Sequence, residues 1–322
     1  MRELVIDYKN KPVLVTGGSG FIGKHLVKHL LSLGADVSIL VLDEENGLED
    51  LSNCHIYRGN IQDAPEVARI VNRVQPEYLF HLASQPLVTL STHNVLDTLD
   101  SNIRGTINLF QACVDSARDI RGIVHVSTDK VYGNLSQGAT EDTILYGIDN
   151  PYDVSKVCAD YLAQMYAKAF NLPIIIARSG NIYGEGDIHW DRLIPYLFKC
   201  CINNKPIIIR GSDKYCRDFI YVDDIVDAYL ILMDTIVSSP HLFGRAINFG
   251  SEKSYSVGEI VHRVLELTNQ VSLPVTHENR VTNEILSQHL VWEWAKELGW
   301  NPKTSLEVGL EKTYQGYKNL YG

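Results

Sequence analysis

The sequence lacks the features that mark nucleic-acid-binding and membrane-spanning proteins. Its 322 residues include 29 Lys and Arg against 39 Asp and Glu, giving a formal net charge of −10, and no basic run stands out. A net negative charge disfavours binding to phosphate backbones, and no apolar run approaches the ~18–20 residues that cross a bilayer. Glu3 and Asp7 lie where a secretory signal has an apolar stretch. We therefore expect a cytoplasmic protein with no nucleic-acid partner and no membrane partner.

Signals for metals and disulfides are also missing. The six cysteines form no C-x-x-C pair and no Cys/His cluster with zinc-ligand spacing. Several lie in apolar helical stretches, where a free thiol behaves as a small hydrophobic group. We expect no bound metal and no disulfide.

Up to about residue 178 the sequence alternates short apolar runs with longer helical patterns. The runs are almost continuously apolar, as a parallel sheet covered on both faces requires. Repeated strand–helix alternation predicts an α/β fold with a doubly wound parallel sheet of the Rossmann type. The predicted strands are 13–16, 37–42, 78–82, 123–126 and 173–177, and the predicted helices are 21–33, 66–74, 94–116 and 152–170.

The rhythm changes after Arg178, where loops and shorter elements predominate. Residues 246–249 form an apolar run that is predicted to rejoin the sheet. We therefore expect an interleaved organisation with a smaller C-terminal α/β region for substrate. The predicted Rossmann domain comprises 1–178 with 217–255 returning to it, and the predicted substrate domain comprises 179–216 and 256–322.

A glycine-rich segment follows the first predicted strand and opens the first predicted helix. It satisfies G-x-x-G-x-x-G from Gly17 and G-x-G-x-x-G from Gly18. Glycines permit a tight turn and the close approach of a pyrophosphate, and the helix N-terminus offers free N–H donors. Asp43 follows at the end of the next strand, where an acid accepts from a ribose 2′-hydroxyl and repels a 2′-phosphate. The predicted cofactor is NAD, held by Gly17, Gly20, Phe21, Ile22, Gly23 and Asp43.

Two further strand ends extend the predicted cofactor site. Asn60-Ile61 follows a further strand, the third along the chain, between those at 37–42 and 78–82; it is placed to reach adenine, although an ordinary turn explains it equally well. Leu82-Ala83 ends the fourth strand beneath the expected path of the nicotinamide. We interpret His81, just before it, as a buried structural histidine.

Tyr152 and Lys156 lie four residues apart, so on a helix both side chains share one face. An ammonium there favours the phenolate, so a phenol with an ordinary pKa of about 10 can act as a base nearer neutrality. The same spacing recurs at Tyr314 and Lys318, which we interpret as surface of the C-terminal helix. An Asn-Pro turn at 150–151, before a helix start, distinguishes Tyr152.

Asp129 and Lys130 follow Thr128 at the end of another predicted strand. They offer a second proton donor and acceptor, which alcohol oxidation does not need and which elimination of water from a neighbouring carbon does. A surface ion pair is the alternative interpretation. With Tyr152 and Lys156, this pair predicts an oxidation coupled to an elimination.

The helix predicted over 152–170 is apolar around most of its circumference. Such a helix is buried on more than one side. One side would pack on the sheet and another on a second subunit, so we expect a homodimer.

In their order along the chain, these motifs resemble the extended short-chain dehydrogenase/reductase family of NAD-dependent nucleotide-sugar epimerases and dehydratases. The resemblance covers almost the whole chain through TGGSGFIG, GNIQD, FHLASQPLV, SNIRGT, VSTDKVYG, NPYDVSK, RSGNIYGEGD, RDFIYVDDIVDAY and AINFGS. Thr128-Asp129-Lys130 and HLASQPLV resemble the CDP-glucose 4,6-dehydratases in particular. Asn60 departs from the aspartate that is usual at the adenine contact.

The resemblance implies a nucleotide-diphosphate sugar as substrate and a role for each site residue. Thr128 would hydrogen-bond the sugar 4-hydroxyl, Tyr152 would take its proton, and Lys156 would hold the nicotinamide ribose. Asp129 is favoured as the acid of the elimination and Lys130 as its base, and the reverse assignment stays open. The implied substrate-binding residues are Gln85, Thr128, Asn181, Arg192 and Arg217.

The sequence therefore predicts an NAD-dependent nucleotide-sugar 4,6-dehydratase, which converts an NDP-hexose to an NDP-4-keto-6-deoxyhexose. CDP-glucose is the first expected substrate, and GDP-mannose or another NDP-hexose comes next. The alternative is an NAD-dependent nucleotide-sugar epimerase with the same Thr128, Tyr152 and Lys156, against which Asp129-Lys130 argues.

Overall fold

The computed structural model describes residues 5–42, 51, 53–135, 138–278 and 286–321. The strands are β1 (Pro12–Thr16), β2 (Asp36–Val41), β3 (His55–Arg58), β4 (Tyr78–His81), β5 (Gly122–Val126), β6 (Ile174–Ser179), β7 (Asn181–Tyr183), β8 (Ile207–Arg210), β9 (Cys216–Arg217), β10 (Phe219–Tyr221), β11 (Ala246–Phe249), β12 (Tyr255–Ser256) and β13 (Val275–Glu278). The α-helices are α1 (Phe21–Ser32), α2 (Ala64–Val74), α3 (Val88–His93), α4 (Val95–Leu99), α5 (Gly105–Ser116), α6 (Pro151–Phe170), α7 (Leu193–Ile202), α8 (Val222–Ser238), α9 (Val257–Leu267), α10 (Glu293–Glu297) and α11 (Leu306–Tyr321). Within these ranges, no helix combines the length and the apolar character needed to cross a bilayer.

Seven parallel strands form the central sheet, in the order β11-β6-β5-β4-β1-β2-β3. The chain moves outward from β1 to β3 and then returns to pair β4 on the other side of β1. This reversal makes the β1–β4 boundary the topological switch point, where a crevice opens outside the carboxyl ends of the strands. The predicted Rossmann-type fold is confirmed.

Both faces of the sheet are covered, because successive side chains of each strand point to opposite faces. Val13 and Val15 of β1 pack in a cluster that includes residues of α1 and α8. Leu14 packs on the other face, in a cluster that includes residues of α2, α5 and α6. Burial on both faces explains why the inner strands of the sheet are mostly apolar.

A third hydrophobic cluster underlies the C-terminal region. Its members include Phe198 of α7, Ile260 of α9 and Leu310 of α11, and it also takes in Phe21 of α1. Two-stranded pairs accompany it: β10 with β7, β12 with β9, and β13 with β8. The shared cluster fixes this region beside the start of α1, at the edge where the crevice opens.

The predicted helix over 94–116 is confirmed to within one residue at its start, with a π-helical turn in its middle that was not predicted. The chain passes through α4, a π-helical turn (Asp100–Arg104) and α5, with α3 ending just before at a non-helical Asn94. In the π turn, Asn102 accepts from the Gln85 backbone N (2.7 Å) and donates to Ser155 Oγ (2.8 Å). The wider turn therefore places Asn102 where it joins the β4 loop to α6.

Candidate active site

A cleft of about 1480 Å³ opens at the carboxyl ends of β1, β4, β5 and β6 and is walled by residues that follow β6. The sequence-predicted site residues in the described ranges all line this cleft: Gly17, Gly20, Phe21, Ile22, Gly23, Asn60, Ile61, Leu82, Ala83, Gln85, Thr128, Asp129, Lys130, Tyr152, Lys156, Asn181, Arg192 and Arg217. Asp43 lies outside the described residues, so its contact with a ribose stays a prediction.

The glycine-rich turn between β1 and α1 has the close packing that a dinucleotide site requires. Gly17 has a φ of +72°, and a Cβ there would lie 2.9 Å from the backbone N of Ala83. A Cβ on Gly23 would lie 2.1 Å from the Gly17 carbonyl oxygen and 2.8 Å from Gly18 Cα. Since these neighbours are backbone atoms, a larger residue would force the turn and the helix apart.

The start of α1 leaves hydrogen-bond donors for an anion. Gly20 is the N-cap and supplies no side-chain cap, so the N–H groups of the first turn need another partner. The Ser19 hydroxyl is buried, lines the cleft, and has no hydrogen-bond partner among the described residues. A pyrophosphate at this helix N-terminus would satisfy both sets of donors, so the residues present fit NAD.

Helix α6 begins as the Asn-Pro turn predicts. The Asn150 side chain accepts from the Asp153 backbone N (3.0 Å), and Pro151 occupies the first turn, where its missing N–H costs nothing. This start orients Tyr152 and Lys156 into the cleft.

Tyr152 is buried, and burial raises the pKa of its phenol. The charge of Arg192 and a hydrogen bond with Thr128 act in the opposite direction, whereas Asp153 and Asp129 raise the pKa further. The expectation of a lowered Tyr152 pKa is therefore wrong for this structure, because desolvation outweighs the favourable charges.

Lys156 lies on the same buried face of α6. Its Nζ donates to the Val126 carbonyl oxygen (2.8 Å). Burial lowers the pKa of Lys156 to about 8, although the charge of Asp160 opposes this. Lys156 can therefore exchange a proton close to neutral pH.

Asp129 and Lys130 begin a short 3-10 turn (Asp129–Tyr132) shortly after β5, with Ser127 and Thr128 between. Thr128 Oγ1 donates to Asp129 Oδ1 (3.0 Å) and accepts from the Lys130 backbone N (3.3 Å). Lys130 Nζ lies 3.8 Å from Asp129 Oδ1 and donates to Gln288 Oε1 (3.0 Å). Asp129 is buried, so the pair lies inside the cleft and the surface ion-pair interpretation does not hold.

A buried network fixes the 3-10 turn against α6. Arg178 of β6 makes two bonds to the Asp160 carboxylate (2.9 and 2.8 Å), which also accepts from Ser127 Oγ (2.8 Å). Arg178 also donates to Tyr132 Oη (2.8 Å), and Tyr132 donates to Asn248 Oδ1 of β11 (2.7 Å). The network therefore sets the acid–amine pair and the Tyr152 helix at a fixed relative position.

Gln288 is a site residue that the sequence analysis missed. It is buried, its Oε1 holds Lys130, and its Nε2 has no hydrogen-bond partner among the described residues. Its backbone N donates to the Cys216 carbonyl (3.1 Å), and nearby Leu290 N donates to Asp218 Oδ2 (2.9 Å). No motif in the sequence marks Gln288, since it reaches Lys130 across 158 positions.

Asp153 was also missed, although it lies inside the Tyr-x-x-x-Lys motif. Burial raises its pKa to about 7; the charge of Lys130 lowers it, while Asp129 and Asp149 raise it further. Its position next to Tyr152 in the sequence is the signal that could have identified it as a site residue.

The predicted substrate-binding residues differ in the hydrogen bonds and ion pairs that their side chains make within the protein. Gln85 Nε2 donates to the Leu87 carbonyl and to Thr98 Oγ1 (both 3.1 Å), and its Oε1 accepts from Leu87 N. The Gln85 amide is therefore occupied within its own loop, and a substrate contact stays a prediction. Arg192 pairs with Asp187 (3.0 Å) at the cleft wall. The contacts of Asn181, Arg192 and Arg217 with a diphosphate likewise stay predictions.

His81 is buried, as the sequence analysis expects. Its Nδ1 lies 2.8 Å from Thr16 Oγ1 and its Nε2 lies 3.1 Å from Thr106 Oγ1. Burial lowers the pKa of His81 well below its ordinary value, with His125 and Lys156 adding to this. A neutral ring bonded at both nitrogens has a structural role here.

Comparison with known proteins gives the family. Residues 13–250 match the profile described as the NAD dependent epimerase/dehydratase family. The chain belongs to this family. Because the family is NAD-dependent, the predicted cofactor is confirmed, as is the predicted membership of the nucleotide-sugar epimerases and dehydratases.

Both dehydratases and epimerases of this family resemble the chain. A dTDP-D-glucose 4,6-dehydratase of Dictyostelium discoideum is 28% identical, over 95% of this chain and 81% of the relative. The structure of a dTDP-glucose 4,6-dehydratase double mutant of Streptomyces venezuelae, with NAD bound, has a TM-score of 0.87 at 26% identity, covering 95% of this chain and 96% of that one. A UDP-glucose 4-epimerase of Thermotoga maritima has a TM-score of 0.87 at 27% identity, covering 96% and 99%. The dehydratases among these relatives support a nucleotide-sugar 4,6-dehydratase in general and give no support to CDP-glucose or GDP-mannose in particular.

Proposed function

We propose that this enzyme is an NAD-dependent nucleotide-sugar 4,6-dehydratase. The observation that supports the proposal best is the pair of buried Asp129 and partly buried Lys130, which lines the same cleft as Tyr152 and contacts Gln288. An epimerase needs oxidation and reduction at a single carbon, whereas this pair adds a proton donor and acceptor for elimination.

Tyr152 is the proposed base for the sugar 4-hydroxyl, with Thr128 as its hydrogen-bonding neighbour. The Thr128 hydrogen bond and the Arg192 charge favour the phenolate, although burial outweighs them and raises the Tyr152 pKa in the protein alone. Lys156 would hold the nicotinamide ribose, together with the glycine turn that would hold the pyrophosphate. NAD held there would supply the hydride chemistry for oxidation at C4 and reduction at C6 of the sugar.

The second half of the proposed reaction uses the acid–amine pair. A ketone at C4 acidifies the C5 proton, which Lys130 would take while Asp129 protonates the departing 6-hydroxyl. The closeness of the two groups, 3.8 Å between Nζ and Oδ1, allows one to act as base and the other as acid on neighbouring carbons. The reverse assignment of acid and base uses the same residues.

For the substrate, we propose an NDP-hexose with its diphosphate near Asn181, Arg192 and Arg217. Guanidinium groups suit bidentate phosphate contacts. CDP-glucose is the first substrate to test, on the strength of HLASQPLV and Thr128-Asp129-Lys130, with GDP-mannose next. The names of the relatives add dTDP-glucose and UDP-glucose to the panel.

We further propose that the enzyme works as a cytoplasmic homodimer. Tyr161, Met165 and Phe170 on α6 are exposed apolar side chains, as expected for a helix that packs on a second subunit. The division into 1–178 with 217–255 and into 179–216 with 256–322 stays part of the proposal.

The first experiment offers each sugar nucleotide to the purified enzyme and measures product mass. A product that has lost one water and carries a 4-keto group supports the dehydratase. A product of unchanged mass with an inverted centre would instead favour the epimerase, which the likeness to the Thermotoga enzyme keeps as the second candidate.

Variants then separate the two halves of the site in single turnover. Tyr152→Phe should abolish oxidation. Lys130→Ala and Asp129→Asn should still oxidise C4, with reduced cofactor visible by absorbance, but lose water ~10²–10⁴-fold more slowly. Tyr314→Phe is the matched control, because Tyr314 has the same spacing to a lysine but lies on α11 against Phe198. Dehydration by Lys130→Ala at the parental rate would make the pair structural and the epimerase the better assignment.

A further inference from the structure

Asp153 is a buried carboxyl group that the mechanism above does not use. Its Oδ2 accepts from Asn150 Nδ2 (2.8 Å), while its Oδ1 is buried and has no hydrogen-bond partner among the described residues. Asp129 Oδ2 and Gln288 Nε2 are unpartnered in the same way, and all three residues line the same cleft as Lys130. Buried polar atoms are ordinarily paired, so this concentration indicates a site built for proton transfer.

The charges near Asp153 do not balance if it ionises. Asp129 and Asp149 act on it as negative groups and Lys130 as a positive one, with Asn150 and the Tyr152 phenol alongside. Lys130 already compensates Asp129 at 3.8 Å. A second buried carboxylate would leave a negative charge without a buried partner, which is costly.

We propose that Asp153 is a positioning residue for the acid–base pair, staying protonated so that Asp129 and Lys130 can exchange the single proton they share. This inference rests on the proposed dehydratase function. In this proposal, Asp153 controls the protonation state of the Asp129–Lys130 pair and does not contact the sugar.

The proton count gives the reason. In the ion pair, Lys130 carries the shared proton; after exchange, Lys130 is an amine and Asp129 an acid. The amine then takes the C5 proton, the electrons of the C5–H bond form the C5–C6 double bond, and the C6–O bond breaks. Asp129 gives its proton to the leaving oxygen, which departs as water, and the pair returns to ammonium and carboxylate.

An ionised Asp153 would suppress this exchange. A second negative charge beside Lys130 favours the ammonium, because a nearby opposite charge stabilises the charged form. The reactive arrangement would then be rare. The rate of water loss should therefore fall as Asp153 ionises, and a permanently neutral side chain should prevent the fall.

Asp153→Asn supplies that neutral side chain with the same shape. Its amide oxygen can still accept from Asn150 Nδ2, so the start of α6 is kept. In single turnover from about pH 6 to about pH 9, the wild-type rate of water loss should decline above pH about 7, the pKa to which burial raises Asp153. The variant should not decline in this way, so at about pH 9 it should exceed the wild type by roughly tenfold or more.

The ratio of variant to wild-type rate is the deciding quantity. Lys156, with its pKa lowered to about 8 by burial, titrates in both proteins and cancels in the ratio. Asp149→Asn removes an exposed carboxylate that also acts on Asp153 and should keep the alkaline decline. A ratio that does not change with pH, whatever its size, would overturn the proposal, since a merely structural Asp153 lowers the rate equally at every pH.

A second measurement does not depend on turnover. Infrared difference spectra between wild type and Asp153→Asn, recorded over the same pH range, report the C=O stretch of a protonated carboxylic acid. We expect a band assigned to Asp153 that disappears with a midpoint near neutral pH. Failure of every sugar nucleotide to lose water would remove the proposed function; a missing acid band at about pH 6 would overturn the inference on its own.

Discussion

The protonation of Asp153 should make the stability of the folded protein depend on pH. Folding raises the pKa of Asp153 from 3.8 to about 7, chiefly through burial. Between these two values the folded state keeps a proton that the unfolded state has released. Stability is therefore unaffected by this group below about pH 4, where both states are protonated, and falls as the pH rises to about 7.

The size of the effect follows from the pKa. Each tenfold change in proton affinity corresponds to about 1.4 kcal/mol, so raising the pKa from 3.8 to about 7 amounts to about 4 kcal/mol above neutral pH. Asp153→Asn cannot ionise and should not lose this stability. Relative to wild type, the variant should gain about 4 kcal/mol between about pH 4 and about pH 8.

Urea unfolding of both proteins across this pH range measures the change. Taking the difference between variant and wild type cancels the titrating groups that do not interact with Asp153, and the midpoints can be compared directly if the slopes agree. Asp142→Asn is the control: its exposed carboxylate pairs with Arg245 at the surface, and its removal should change the difference by less than about 1 kcal/mol at any pH. If Asp153→Asn shows an equally flat difference, the carboxyl group is ionised in the folded protein and the reasoning from burial fails.

Three further predictions concern the cofactor turn, the buried network and assembly. Gly23→Ala should abolish NAD binding measured by calorimetry, since its Cβ would lie 2.1 Å from the Gly17 carbonyl oxygen; unchanged affinity would mean that the turn adapts. Asp160→Ala leaves the Arg178 guanidinium buried without its carboxylate and should cost about 3–5 kcal/mol in urea unfolding; a cost below about 1 kcal/mol would contradict the network. Met165→Glu should convert the proposed dimer to a monomer in light scattering, and a dimer that persists would place the interface elsewhere.

The sequence determined the elements whose causes are local. The glycine turn is visible because only glycine tolerates the φ of Gly17 and the contact at Gly23. The start of α6 is visible because an Asn-Pro pair caps a helix by short-range hydrogen bonds. The continuous apolar runs reveal a sheet covered on both faces, and hence the switch point at which the cleft forms. These patterns place the predicted site residues in the described ranges on one cleft.

The tertiary structure decided what depends on packing between distant segments. The π turn within the helix at 94–116 brings Asn102 into contact with the β4 loop and α6, and helix periodicity does not record such contacts. Gln288 reaches Lys130 only because the chain after β13 returns to the cleft.

The sequence likewise does not determine the pKa values of the site residues. The spacing of Tyr152 and Lys156 puts both on one helix face, but spacing carries no information on desolvation, and burial raises the Tyr152 pKa where the sequence predicts a lowered one. Asp153 lies between them in the sequence, but its raised pKa arises from burial together with the charges of Asp129 and Asp149. Residue identity determines which groups can titrate. The folded environment determines the pH at which they titrate, because the free energy of a buried charge depends on its neighbours in space.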